Sequence, residues 1–124
     1  MHSSRLAGFI IDCQTDDLDG AAAFWSAALG LEDRGRDGNG YQRLDGSSRD
    51  LTIEVQTVDH PSRVHLDIES DDVEAEVARL EKLGARRLQQ IKTWVVMEAP
   101  TGQRFCVVRA KKSLDDAPGA RRWG

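Results

Sequence analysis

An internal repeat runs through this 124-residue sequence. Residues 8–19 align with residues 63–74 at an offset of 55, and each segment is a short β-prone run followed by a hydroxyl residue, two aspartates, an aliphatic residue and an acid. A helical stretch follows in both copies and ends in Leu-Gly, at Gly30 and Gly84. Self-similarity at a fixed period indicates one supersecondary unit used more than once. We therefore expect two copies of the same unit.

Each copy contains one predicted amphipathic helix. Apolar residues recur at spacings of three and four from Leu18 to Leu29 and from Val73 to Leu83, which places them on one helical face. The glycine after each stretch favours the left-handed conformation that ends a helix. Short polar side chains before each stretch are expected to cap its start, either Thr15 or Asp16 in the first copy and either Ser70 or Asp71 in the second.

Three strand candidates follow each helix, separated by turn residues. They cover residues 31–36, 41–44 and 51–57 in the first copy and residues 86–92, 94–98 and 104–109 in the second, with residues 37–40 among the turns. The predicted fold class is α+β, with two tandem β-α-β-β-β modules at about residues 6–59 and 63–110 of one domain. Residues 60–62 are the expected hinge, and residues 111–124 are expected to form a polar C-terminal tail.

Composition and charge exclude several classes of protein. Lys and Arg number 17 against 21 Asp and Glu, and the net charge of −4 argues against a nucleic-acid partner. No apolar run approaches the ~20 residues of a membrane span, and the start of the chain lacks a secretory cleavage site. The two cysteines form neither a CxxC pair nor a zinc-type spacing. We expect a cytoplasmic protein with reduced thiols and no membrane partner.

Two groups of motifs frame the repeat. The helix group consists of Asp17-Leu18, Phe24-Trp25 and Leu29-Gly30, and the group of the last strand consists of Pro100-Thr101-Gly102 and Phe105-Cys106-Val107. Over about residues 6–110 the chain resembles the vicinal oxygen chelate superfamily, the group of glyoxalase I, bleomycin-resistance proteins, extradiol dioxygenases and fosfomycin-resistance transferases. The resemblance implies curved mixed sheets around a cavity, as in the glyoxalase, bleomycin-resistance and dihydroxybiphenyl dioxygenase fold, and it implies a homodimer.

Metal-using members of this superfamily hold one divalent ion with four side chains, two from each module. The resemblance carries these positions to Ile10, Glu54, His65 and Cys106. Ile10 has no ligand atom, and Cys106 replaces the usual carboxylate. A resident metal is therefore not expected, and if a Zn, Ni, Fe or Mn ion does bind, Glu54, His65 and Cys106 are its expected ligands.

Polar side chains interrupt otherwise apolar strands at two positions, Glu54 and His65. Alternation along a strand places each on one face, which is either solvated or directed to the cavity. In a cavity, both become catalytic candidates, because an imidazole and a carboxylate can move a proton or bind a polar group. The expected ligand-binding residues are Trp94, Met97 and Tyr41, which lie in or beside strands, and the cavity positions Cys106 and Ile10.

The resemblance, together with the same alternation, implies where the two thiols point. Phe9, Ile11 and Cys13 share the strand face directed to the helices, and Ile10 lies on the opposite face. Cys106 is expected on the cavity side. A small thiol reagent is therefore expected to modify Cys106 before Cys13.

Two functions remain open from the sequence. The first is a small-molecule binding protein whose cavity holds a hydrophobic or aromatic metabolite or an antibiotic, as bleomycin-resistance proteins do, without the full metal site. The alternative is a metal-dependent lyase, isomerase or dioxygenase that uses His65 and Glu54.

Overall fold

The computed structural model of the protein describes residues 1–37 and 40–124. The predicted turn at residues 37–40 includes Gly38 and Asn39, which lie outside the described residues. The order of elements is the predicted β-α-β-β-β sequence, twice, followed by one short strand: β1 (His2–Cys13), α1 (Leu18–Leu29), β2 (Asp33–Arg36), β3 (Gln42–Leu44), a 3-10 turn (Ser47–Arg49), β4 (Thr52–Thr57), β5 (Arg63–Ser70), α2 (Val73–Lys82), β6 (Arg86–Ile91), β7 (Trp94–Glu98), β8 (Arg104–Arg109) and β9 (Arg121–Trp123).

The chain divides into two compact units. The first unit is Gly8–His65, and the second is Met1–Ala7 together with Leu66–Gly124. Both boundaries fall inside strands, since β1 and β5 each contribute residues to both units. Neither helix of the described part is long and apolar enough to cross a membrane.

The sheet of the first unit has the strand order β2-β3-β4-β1, with β1 parallel to β4 and the other pairs antiparallel. Helix α1 covers one face of this sheet through a buried apolar cluster: Ile11, Leu18, Leu44, Ile53 and Val55. Because side chains alternate along a strand, the neighbours of these residues point to the opposite face. The register pairs Ile10 with Glu54 and Asp12 with Gln56 on that face.

The second unit repeats this arrangement with the order β5-β8-β7-β6 and a parallel β5–β8 pair. Its core lies under α2: Val77, Leu80, Val95, Met97 and Val107. These parallel pairs within mixed sheets, each with one helix, confirm the predicted α+β fold.

The residues that cap the two helices lie one or two positions after those expected from the sequence. Asp17 caps α1 by accepting a hydrogen bond from the Gly20 amide, and Asp72 caps α2 by accepting from the Ala75 amide. The residues expected as caps bind elsewhere: Thr15 Oγ1 accepts from the Asp17 amide, and Asp71 accepts from the Ser3 amide. Gly30 ends α1 in the left-handed region at φ 67°, as predicted.

The C-terminal residues are packed within the second unit. Leu114 is 4% exposed, and β9 pairs antiparallel with the first residues of β1. Trp123 donates from Nε1 to Ser4 Oγ at 2.9 Å, and the Arg79 guanidinium lies 4.0 Å above the Trp123 ring. Residues 111–124, expected as a tail, therefore include a strand with specific contacts.

Candidate functional site

Asp12 is the centre of a polar cluster on the face of the first unit opposite α1. It is 2% exposed, and its Oδ2 atom lies 2.6 Å from Nδ1 of His65. Its Oδ1 atom accepts a hydrogen bond of 2.6 Å from Gln56 Nε2. The Arg63 guanidinium stands 3.8 Å from Oδ2. We call Asp12, Gln56, Arg63 and His65 the Asp12 cluster.

These contacts provide the compensation that a buried carboxylate requires. Removing a carboxylate from water is costly unless hydrogen bonds and opposite charge replace the lost solvent. Asp12 receives two short hydrogen bonds, and Arg63 adds a positive charge from a side chain that is 45% exposed. The cluster is thereby a defined arrangement of polar groups, in which the His65 side chain is 12% exposed.

Sequence reasoning selected His65 but not its partners. Asp12 lies on the same strand face as Ile10, and it is the repeat counterpart of Asp67. The alternation of β1 predicts that Asp12 shares a face with Ile10, but nothing in the sequence indicates a contact with His65, which lies 53 positions away.

Ile10 and Glu54 lie side by side on this face. The register of β1 and β4 pairs them, Ile10 is 2% exposed and Glu54 is half-buried. Phe9, Ile11 and Cys13 belong to the core under α1, which confirms the predicted facing of β1. Ile10 has no ligand atom at the position that the resemblance assigns to a metal ligand. The four-residue metal site implied by the resemblance does not fit this chain.

Glu54 and His65 belong to the first unit, and Cys106 belongs to the second. In the second unit, Cys106 of β8 is the register partner of Asp67 of β5.

The remaining expected ligand-binding residues lie in different environments. Met97 is fully buried in the core under α2, so it points to the opposite face of β7 from the half-buried Trp94. Tyr41 is half-buried just before β3, and its amide donates to Asp37 Oδ1 at 3.1 Å. Met97 is held by core packing, and we leave it out of the candidate site for that reason.

The two thiols have the predicted facing but not the predicted exposure. Cys13 packs against the core of the first unit, whereas Cys106 lies outside the core cluster to which its neighbours Phe105 and Val107 belong. Cys106 is nevertheless buried, and Cys13 is partly exposed. Burial raises the pKa of the Cys13 thiol, a hydrogen bond with Trp25 lowers it, and the charge of Asp12 raises it again. Because Cys13 is the more exposed of the two thiols, the structure argues against the expectation that a thiol reagent modifies Cys106 first.

A cavity of about 380 Å³ lies in the second unit, and none of the predicted site residues lines it. Its lining combines two acids and two arginines with smaller groups: Ser3, Leu114, Asp115, Asp116, Ala120, Arg121 and Arg122. This cavity is therefore not part of the candidate site.

Similarity to other proteins extends over most of the chain. A family model described as a glyoxalase-like domain matches residues 8–108. A hypothetical protein from Bacillus halodurans C-125 has a TM-score of 0.67 at 13% identity, over 89% of this chain and 96% of that one. None of the curated proteins matches the chain.

Two methylmalonyl-CoA epimerases are also similar in structure. The Streptomyces coelicolor enzyme, as a variant in complex with 2-nitronate-propionyl-CoA, has a TM-score of 0.59 at 17% identity, over 87% of this chain and 98% of that one. The Mycobacterium tuberculosis enzyme has a TM-score of 0.60 at 16% identity, over 91% of this chain and 92% of that one. At these identities the likeness concerns the fold.

Proposed function

Because this chain belongs to the glyoxalase-like domain family, we propose that it binds a small hydrophobic or aromatic compound, a metabolite or an antibiotic, on the face of the first unit that carries the Asp12 cluster. The observation that carries the proposal is the juxtaposition on one face of the apolar Ile10 with a polar cluster held by short hydrogen bonds. Small-molecule sites place a few convergent polar groups against apolar side chains, and here the buried Ile10 lies on the same face as the partly buried Glu54 and His65.

The residues proposed to contact the ligand differ from the residues that hold them in place. Ile10 and Asp12 are each 2% exposed, so they lie behind the surface. His65 and Glu54 are only partly buried and are the polar groups nearer to the surface. We assign ligand contact to His65 and Glu54 and structural support to Ile10 and Asp12. Trp94, Tyr41 and Cys106 stay candidates for the apolar wall.

Metal content tests this proposal. Protein purified without chelator is expected to carry well below one equivalent of Zn, Ni, Fe or Mn, because Ile10 replaces a ligand of the implied four-residue site. Elemental analysis by inductively coupled plasma measures this directly. Stoichiometric metal that is lost in His65→Ala but kept in the matched control His60→Ala would contradict the metal-free proposal.

The alternative is a metal-dependent lyase, isomerase or dioxygenase that uses His65 and Glu54, an imidazole and a carboxylate of the first unit. The similar epimerases are isomerases, which is compatible with this class. The metal analysis above decides between the two functions.

We also propose that the protein is a homodimer, as its resemblance to the superfamily implies. Large apolar side chains on β5 support this, since Val64 is 57% exposed and Leu66 is 51% exposed on the same face of the strand. Exposed apolar side chains that lie together mark interaction surfaces more often than isolated ones do.

A further inference from the structure

We propose that the cavity of about 380 Å³ in the second unit binds a zwitterion, an α-amino acid with an apolar side chain. Arg122 and the Ser3 hydroxyl bind its carboxylate group, and Asp115 and Asp116 bind its ammonium group. This site is additional to the one proposed above, which centres on the Asp12 cluster of the first unit, and neither proposal depends on the other.

Two hydrogen-bond donors converge on one wall of the cavity. Ser3 is 4% exposed, and its Oγ atom accepts a hydrogen bond of 3.4 Å from Arg122 Nη1. The register of β1 and β9 pairs Ser3 with Arg122. Within residues 1–37 and 40–124, the Ser3 hydroxyl proton has no acceptor and the Arg122 guanidinium has no acidic partner. A hydroxyl proton and the remaining N–H groups of a guanidinium are donors that suit a carboxylate.

Two carboxylates line the same cavity. Asp115 and Asp116 are neighbours in the chain, and neither side chain forms an ion pair or accepts a hydrogen bond in the part of the protein that the structure describes. The lining thus carries two acids and two arginines, Arg121 and Arg122, that do not pair with one another. A ligand with no net charge but with both an anionic and a cationic group satisfies such a lining, because each group meets its opposite charge.

The segment that carries these charges is fixed in place. Leu114, which precedes the two acids, is 4% exposed, and Arg122, which follows them, lies in β9. Between these ends, Arg5 Nη1 donates to the Pro118 carbonyl oxygen at 3.1 Å, and the Ala120 amide donates to the Ala117 carbonyl oxygen at 3.1 Å. A site that is ordered before binding loses less conformational entropy when the ligand arrives.

The size and the apolar part of the lining favour an amino acid over a simple ion. The volume lies within the range of ~300–1,000 Å³ that is usual for small-molecule sites. Leu114 and Ala120 line the cavity next to the charged residues and provide contact for an apolar side chain. An inorganic anion or a metal ion would meet only one of the two signs of charge.

Three probes of the same carbon skeleton test this inference. Leucine carries both charges, 4-methylpentanoate lacks the ammonium group, and 3-methylbutylamine lacks the carboxylate group. Binding to the full chain at pH 7 is followed by ¹H–¹⁵N NMR titration. Leucine is expected to shift the amide signals of Ser3 and of residues 114–122, and to bind about tenfold more tightly than either analogue, the effect of hydrogen bonds to one charged group.

Two variants separate the roles of the charges. Arg122→Gln is expected to weaken leucine binding about tenfold and to leave 3-methylbutylamine unaffected, because the amine has no carboxylate to lose a partner. The double variant Asp115→Asn and Asp116→Asn is expected to weaken leucine binding to the same degree and to leave 4-methylpentanoate unaffected. The matched control Lys112→Gln removes an exposed cation that does not line the cavity, and it is expected to change none of the three affinities.

The outcomes decide this inference separately from the proposed function. Absence of leucine binding, equal binding of leucine and one analogue, or shifts confined to residues outside the cavity overturns the inference and leaves the proposed function of the first unit in place. If a variant does not fold, the three affinities and the position of the shifts in the unaltered protein still decide the question.

Discussion

At the scale of single residues, Glu76 shows how a helix of the second unit holds a buried charge. Glu76 is fully buried on α2. His2 Nε2 lies 2.8 Å from it, and Arg79 donates two hydrogen bonds of 2.8 Å. Burial raises the pKa of Glu76, but hydrogen bonds with Arg79, His2 and Ser4 outweigh it and hold the pKa below its usual range.

We expect Glu76→Ala to lower the free energy of unfolding by about 3 kcal/mol, because it leaves Arg79 and His2 without their partner. The control Glu74→Ala removes an exposed carboxylate on the same helix and is expected to cost less than about 1 kcal/mol. Urea denaturation at pH 7 measures both. Equal losses in the two variants would contradict the role of burial.

The lowered pKa of Glu76 also fixes the sign of a pH effect. A carboxyl group with a folded-state pKa below its unfolded value stabilises the protein above the unfolded pKa, and this stabilisation is lost as the pH falls through the folded pKa. The difference in the free energy of unfolding between the unaltered protein and Glu76→Ala is therefore expected to become smaller below about pH 4. A constant difference from pH 7 to pH 3 would contradict this.

At the scale of secondary-structure elements, the start of α1 offers several residues that could cap the helix, and one of them does so. Thr15, Asp16 and Asp17 precede α1, and all three are good capping residues. Only Asp17 is placed by the backbone so that its carboxylate meets the Gly20 amide. Thr15 instead accepts from the Asp17 amide and shapes the turn into the helix.

We expect Asp17→Ala to lower the free energy of unfolding by about 1 kcal/mol, the usual value of a lost N-cap. Asp16→Ala is the matched control, since it removes an equal charge next to the same helix end without removing the cap. Thermal denaturation followed by circular dichroism measures both variants. A larger loss for Asp16→Ala would show that the charge near the helix end, and not the cap, stabilises α1.

At the scale of the whole molecule, the exposed apolar residues of β5 provide a test of the proposed homodimer. Leu66→Asp is expected to shift the protein to monomer in light scattering at micromolar concentration, because it places a charge in the proposed apolar contact. The control Leu83→Asp changes another exposed leucine, 66% exposed and located at the end of α2. Monomeric unaltered protein, or equal effects of the two changes, would overturn the dimer.

Local patterns in the sequence were enough to predict the two helices and the eight strands of the two modules, in their order, but not β9. The repeat, the helical spacing from Leu18 to Leu29 and the strand alternation are such patterns, and the observed bounds of α1, β7 and β8 coincide with those predicted. Gly30 ended its helix as expected because a left-handed residue is a local requirement. Alternation placed Ile10 and Cys13 on opposite faces of β1, and the resemblance assigned the face of Cys13 to the helices.

Tertiary packing determines which of the residues in these elements come into contact. The contact of Asp12 with His65 joins residues 53 apart, and that of His2 with Glu76 joins residues 74 apart. The pairing of β9 with β1 and the burial of Met97 under α2 likewise depend on packing. Such contacts arise from strand register and from the need of buried polar groups for partners. The hydrophobic periodicity of a single segment predicts neither of these, because both involve residues far apart in the sequence.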